Sequence, residues 1–83
     1  MMFKMTKSEE QMKQVARRLS RNLYLLMGQN KRIKITELSK KSGVSVGTIS
    51  RIKNDWQGEE TPKMETVVKL ATALEIDPVE LIK

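Results

Sequence analysis

The sequence contains neither cysteine nor histidine among its 83 residues. Without cysteine there is no disulfide framework and no thiolate metal site. Without histidine there is no zinc finger of the usual kind, no Ser–His or Cys–His nucleophile pair and no general base that titrates near neutral pH. The glycines do not form a phosphate-binding loop either. We therefore expect no enzyme, no metal or other cofactor and no small-molecule ligand.

Aromatic residues and long apolar runs are also scarce. The chain has one Trp, one Tyr and one Phe, and hydrophobic residues make up 39% of it. Such a core is small and aliphatic, and helices suit it better than a β-sandwich. The longest apolar run, residues 23–27, is far too short for a membrane span, and the chain does not start like a signal peptide. We expect one cytoplasmic all-α domain with no membrane partner.

Positive charge exceeds negative charge, since sixteen Lys and Arg residues stand against ten Asp and Glu residues, giving a formal net charge of +6. From the number alone, solubility accounts for this charge as well as a polyanionic partner does. The distribution of the charge along the chain favours a polyanionic partner. The basic residues concentrate in the first half of the chain, whereas most acidic residues follow residue 54.

Residues 35–54 contain the pattern on which the functional interpretation depends. It predicts two short helices joined by a tight turn. Ile35 and Leu38 recur at helical spacing in the first helix. Gly43 suits a backbone that leaves this helix with a positive φ, and Val44 is apolar enough to tuck under the turn.

Ser45 is a good N-cap for the second helix, in which Ile49 and Ile52 form a narrow apolar seam. A helix that shows hydroxyls and cations outward is fit to lie in the major groove of DNA. The remaining positions are small, hydroxyl-bearing or basic: Val46, Gly47, Thr48, Ser50, Arg51 and Lys53.

The run from Glu37 to Ser45, followed by Thr48-Ile49-Ser50-Arg51-Ile52-Lys53-Asn54, resembles the helix-turn-helix of the XRE family, which includes the lambdoid phage repressors and the Cro proteins. The resemblance implies a compact, five-helix, lambda-repressor-like domain over residues 7–83, after a flexible segment 1–6. It also implies a transcriptional regulator that binds a double-stranded DNA operator as a homodimer. Among regulators, the resemblance favours a repressor. The chain would be a whole Cro-like protein or the N-terminal piece of a longer repressor.

Carried over position by position, the resemblance places Val46, Gly47, Thr48 and Arg51 at base edges. The physical support is strongest for Arg51, because its guanidinium fork matches the O6 and N7 acceptors of guanine. Thr48 and Ser50 can bond to bases or phosphates, whereas Val46 can only touch a thymine methyl. Gly47 permits either close backbone approach or a helix–helix contact. We expect a preference that depends on Arg51, Lys53 and DNA shape.

The resemblance also assigns phosphate contacts to Asn54 and to the N–H groups near Ser45. The family commonly has Gln near the position of Ile35, and Ile35 cannot replace its amide. Either Lys34 or Thr36 takes over this phosphate contact, or the contact is absent. Lys63, on the far side of the following loop, is a further candidate.

Other segments keep two interpretations open. A helix is expected from about Lys7, capped by Thr6, to Gly28 as its C′ residue. Its arginines either form a solvated face or contact phosphates. Residues 1–5 are either disordered or an arm that reaches a partner subunit or DNA. The arginines in question are Arg17, Arg18 and Arg21.

Beyond the motif, we expect Trp56 to anchor an acidic loop against the core; the alternative is exposure to a partner or stacking on sugar. Pro62 should stand near the first turn of a fourth helix, and Asp77 should cap a short fifth one. We expect the apolar face of the fourth helix to be core: Met64, Val67, Val68, Leu70, Ala71, Leu74 and Ile76.

Two rival functions remain open at this point. One is an antitoxin that regulates its own genes and binds a small protein partner. The other is a protein-interaction module on the same fold, favoured by the thin base readout at Val46 and Gly47.

Overall fold

Five α-helices and one π-helical turn make up the regular structure of residues 6–30 and 32–83, the part of the chain that the computed structural model describes (without the side chains of residues 29 and 30). The α-helices are α1 (Lys7–Leu25), α2 (Ile35–Ser42), α3 (Val46–Lys53), α4 (Met64–Ala73) and α5 (Pro78–Ile82). The predicted all-α class is confirmed. The expectation for residues 1–5 lies outside the described residues. None of the described helices is long and apolar enough to cross a membrane.

The core forms where α1 packs against α3 and α5, and where α4 packs against α2 and α5. Each fully buried Leu or Ile contributes about 1.5–3 kcal/mol of hydrophobic stabilisation. The largest fully buried apolar side chains of the core are Leu19, Leu23, Leu38, Ile49, Leu70 and Leu81.

Helix α1 starts as predicted, since the Thr6 hydroxyl accepts a hydrogen bond from the backbone N–H of Glu9. Its end differs from the prediction. Gly28 is not a left-handed C′ residue but part of a π-helical turn, Leu26–Asn30, and its φ is not positive. The left-handed residue is Arg32, with φ of 50°. Met27, in the π-helical turn, is buried in the core.

Helix α4 begins at Met64, with extended Lys63 as its N-cap. Pro62 directly precedes this cap and so stands near the first turn, as predicted. It lines the same groove as Val67, the arrangement of a hydrophobic staple at a helix start. The prediction that the whole apolar set of α4 is core is wrong at two positions. Met64 and Val68 are exposed rather than core, since the helix turns them away from the buried face that contains Val67 and Leu70.

The turn between α4 and α5 is a Schellman motif with a non-glycine residue in the left-handed position. Glu75 has φ of 60°. The Ile76 N–H donates to the Ala71 carbonyl at 3.0 Å, and the Glu75 N–H donates to the Thr72 carbonyl at 3.1 Å. Asp77 then caps α5 as predicted, by accepting from the N–H of Val79.

Candidate nucleic-acid interface

The turn between α2 and α3 is held by short hydrogen bonds. Gly43 has φ of 76°, as predicted, and its N–H donates to the Ser39 carbonyl. The Ser39 hydroxyl donates to the Val44 carbonyl at 2.6 Å, and the Val44 N–H donates to the Ser42 hydroxyl at 3.1 Å. Val44 is buried under the turn. These bonds fix the angle at which α3 leaves α2.

Helix α3 is capped by Ser45, as predicted. The Ser45 hydroxyl accepts from the Thr48 N–H at 3.1 Å and donates to the Thr48 hydroxyl at 2.9 Å. One turn further on, the Arg51 guanidinium donates to the same Thr48 hydroxyl at 3.4 Å. Ser45, Thr48 and Arg51 thus form a polar row along one side of the helix.

The packing of α3 decides which side faces outward. Ile49 and Ile52 are buried, as predicted, so that Gly47, Arg51 and Asn54 point away from the core at the helical spacing. A Cβ added at Gly47 would meet no atom within 4 Å. The alternative prediction, that Gly47 permits a close helix–helix contact, is therefore wrong. The exposed surface formed by Val46, Gly47, Arg51 and Asn54, flanked by half-buried Thr48 and Ser50, is called the outer face of α3.

Lys63, across the loop, lines one shallow depression together with Thr48 and Arg51. Lys34 and Thr36 are exposed at the start of α2, where the Lys34 side chain makes no capping bond. Lys53 lies on the flank of α3 that faces α1.

The interface of α3 with α1 depends on a residue that the sequence analysis missed. Ser20 is 2% exposed, and its hydroxyl donates to the Lys53 carbonyl at 2.8 Å. Nearby, the Lys53 ammonium lies 5.5 Å from the centre of the Tyr24 ring. The available signal was a hydroxyl next to Leu19 within the apolar stripe of α1, at a position that the helical period turns inward.

The loop after α3 is anchored differently from the prediction. Trp56 is 73% exposed and is not a core anchor. The anchor is buried Gly58, whose φ is 74° and whose backbone lies so close to the Lys13 carbonyl oxygen that a Cβ would overlap it. The Arg17 guanidinium also donates to the Gln57 carbonyl at 3.1 Å. Glycine permits this backbone contact, which leaves the indole free in solvent.

Asp55 organises the same loop from inside. Its carboxylate accepts from the N–H groups of Glu59 and Glu60 at 2.8 and 2.9 Å. Of the acidic residues in this loop, Asp55, Glu59 and Glu60, the first therefore stabilises the loop backbone.

A first helix, a left-handed glycine turn and a second helix that is capped by Ser45 and has one buried seam and one polar outer face define a helix-turn-helix DNA-binding domain. The chain belongs to the family of Cro/C1-type HTH DNA-binding domains, which matches residues 22–83. The resemblance drawn from the motif is confirmed. Comparisons with curated proteins and with solved structures give no match. The family match begins inside α1, so that residues 7–21 of this helix precede it.

Proposed function

We propose that the domain is a transcriptional repressor that binds operator DNA as a homodimer, with α3 in the major groove. The observation that supports this most is the outer face of α3. Arg51 is exposed there and takes part in none of the ion pairs among the described residues. Its remaining N–H groups are free for a guanine edge. Gly47, with open space around it, lets the backbone of α3 approach the base pairs closely.

Three phosphate contacts surround this face. Asn54 lies at the C-terminal end of α3, and Lys63 lies across the depression beside Arg51. Lys34 or Thr36 takes a phosphate at the start of α2, where the side chain of the N-cap leaves the first N–H groups free. Thr48 and Ser50 support this set from the flanks of α3, and Val46 meets a thymine methyl. Lys53 adds charge on the side of α1.

Selection of binding sites from a random pool of duplex DNA tests the proposal. A homodimer with two-fold symmetry selects an inverted repeat with half-sites roughly 34 Å apart, one turn of the double helix. A single half-site would refute the dimer. No enrichment would refute sequence-preferring binding and favour the protein-interaction module.

Once the operator is known, Arg51→Ala separates base recognition from general charge. We expect it to cost about 1–3 kcal/mol at the operator and to relax the preference at one base pair. The matched control is Lys69→Ala on α4. Lys69 lies 2.8 Å from Glu65 and, by hydrogen bonding to it and by its charge, lowers the pKa of that carboxyl. Equal losses in the two variants would contradict a base contact by Arg51.

The phosphate contacts predict a dependence on salt. Each neutralised phosphate contributes about −0.9 to the slope of log affinity against log salt concentration. Lys34→Gln and Lys63→Gln should each make the slope less steep by about that amount, without changing the selected sequence. An unchanged slope in either variant would remove that residue from the interface.

Helix α5 offers the surface for the homodimer. Leu81 is buried and closes the domain, whereas Val79 is 58% exposed on the same short helix. Val79→Glu should therefore convert the dimer to a monomer in sedimentation-velocity experiments, at unchanged helix content. A variant that remains dimeric would place the interface elsewhere.

An antitoxin that binds a small protein partner is the second candidate. It is favoured by an apolar groove of about 420 Å³ between α1, the start of α4 and the end of α5, lined by Met12, Val15, Pro62, Met64 and Ile82 among others. If the chain is monomeric and Met64→Glu abolishes a stoichiometric complex with a co-expressed neighbouring gene product, the antitoxin replaces the homodimeric repressor.

A further inference from the structure

A cleft of about 530 Å³ lies between α1 and the beginning of the loop after α3. Two aromatic rings stand in it that the core does not use: Tyr24 is 59% exposed and Trp56 is 73% exposed. Four cations surround the rings. We call this site the aromatic–cationic cleft and define it by Arg17, Arg18, Arg21, Tyr24, Lys53 and Trp56.

The cations of the cleft are available to an anionic ligand. Within the described part of the chain no carboxylate lines the cleft, and the ion pairs involve other residues. Arg17 uses its Nε for the Gln57 carbonyl, and Arg18 makes only a 3.5 Å contact with Gln14. Arg21 donates from Nε to the Asn22 side chain at 3.4 Å and from one Nη to the Lys83 carbonyl at 3.3 Å. A guanidinium has five N–H donors, so that most of them remain for phosphate oxygens.

The aromatic rings indicate which nucleic acid fits. Phosphates need cations alone, and the bases of a duplex are stacked on one another, so that their faces cannot meet a side chain. An unpaired base offers its face, and stacking on Trp or Tyr within a basic groove is how proteins hold single strands. Two exposed rings among four cations therefore match a single strand better than a duplex backbone.

We propose that the aromatic–cationic cleft binds single-stranded nucleic acid, with phosphates on the arginines and one or two bases stacked against Trp56 and Tyr24. This activity is additional to operator binding and does not depend on it. Of the outer face of α3, only Asn54 lines the cleft, whereas Val46, Gly47 and Arg51 do not. Arg17, Arg18 and Arg21 lie before residue 22, where the match to the Cro/C1-type family begins, so that three of the six residues that define the cleft lie outside this match.

The experiment uses the fluorescence of Trp56, the only tryptophan of the chain. The intact protein is titrated with oligo(dT) about ten nucleotides long, within the range that one small domain contacts. We expect saturable quenching that weakens as salt is added. A duplex of equal length and unselected sequence should quench less and should compete poorly.

Variants then test the cleft through the anisotropy of a labelled oligo(dT). Trp56→Leu and Tyr24→Leu should each weaken binding about tenfold, the typical effect of losing one base–aromatic stack. Both rings are exposed, so that neither change should alter the helix content. Arg18→Gln should weaken binding as well, whereas Lys69→Gln, which removes a charge on α4, should leave it unchanged.

The outcomes that overturn the proposal are distinct from those that overturn operator binding. The cleft is refuted if both aromatic variants bind oligo(dT) like the parent, if Lys69→Gln weakens binding as much as Arg18→Gln, or if the duplex quenches Trp56 equally and displaces oligo(dT). If the protein selects an operator but does not bind oligo(dT), only the proposed function of the cleft is refuted. Oligo(dT) binding without operator selection refutes the proposed repressor alone.

Discussion

The hydrogen bond from Ser20 to the end of α3 predicts that a small change on α1 destabilises the whole domain. The perturbation is Ser20→Ala, which removes the buried hydroxyl and changes the volume little. In the native protein this hydroxyl donates to the Lys53 carbonyl at 2.8 Å, and the serine is 2% exposed. The Lys53 carbonyl loses a partner that water cannot easily replace.

The magnitude follows from two opposing terms. Leaving a buried acceptor without its donor costs about 1–3 kcal/mol. Alanine has a higher helix propensity than serine by about 0.5 kcal/mol, which offsets part of this loss. We expect Ser20→Ala to lower the free energy of unfolding by roughly 1 kcal/mol or somewhat more, equivalent to a fall in Tm of about 4–8 °C per kcal/mol in a domain of this size.

Urea unfolding followed by circular dichroism measures this difference, with Ser8→Ala as the control. Ser8 lies on the same helix but is exposed, so that its replacement should stay within about 0.5 kcal/mol of the parent. A Ser20→Ala variant as stable as the parent would show that the bond to Lys53 contributes nothing net. Equal losses of unfolding free energy in both variants would attribute the effect to a change in the stability of helix α1 and not to the bond with Lys53.

Three further predictions concern the backbone and pH. Gly58→Ala should destabilise by at least about 2 kcal/mol in urea unfolding, because the new Cβ overlaps the Lys13 carbonyl at a left-handed φ, whereas Gly28→Ala, with open space, should stabilise slightly. Glu75→Gly should raise the free energy of unfolding by about 0.5–1 kcal/mol, because a left-handed residue with a Cβ costs about 1–2 kcal/mol and the freedom of glycine in the unfolded chain offsets part of the gain. Operator affinity, measured by fluorescence anisotropy, should change less than about twofold between pH 5.5 and 7, because no histidine titrates there; a larger change would implicate an acidic group with a raised pKa.

The helix-turn-helix could be predicted closely because its signals are local. Glycine at position 43 indicates a positive φ, and serine at position 45 indicates the start of α3, since its hydroxyl accepts from the N–H three residues later. The spacing of Ile49 and Ile52 indicates which side of α3 is buried. Each of these signals operates within one turn of helix. Thr6 and Asp77 were identified as caps for the same reason.

The loop after α3 could not be predicted in the same way, because its position depends on contacts between distant parts of the chain. Large size and apolar character favour burial for Trp56, yet the core is already filled by Leu and Ile side chains. What holds the loop is the absence of a side chain at Gly58, which lets two backbones touch across 45 residues. Sequence periodicity carries no information about such a contact.

The same contacts explain how the structure can combine a fixed helix with a variable surface. Ser20 and Arg17 hold the end of α3 and its loop through the carbonyl oxygens of Lys53 and Gln57, not through their side chains. A carbonyl oxygen is present whatever the residue type. The side chains of Lys53, Trp56 and Gln57 can therefore change without moving α3, and the aromatic–cationic cleft can acquire or lose binding groups while the outer face of α3 keeps its orientation.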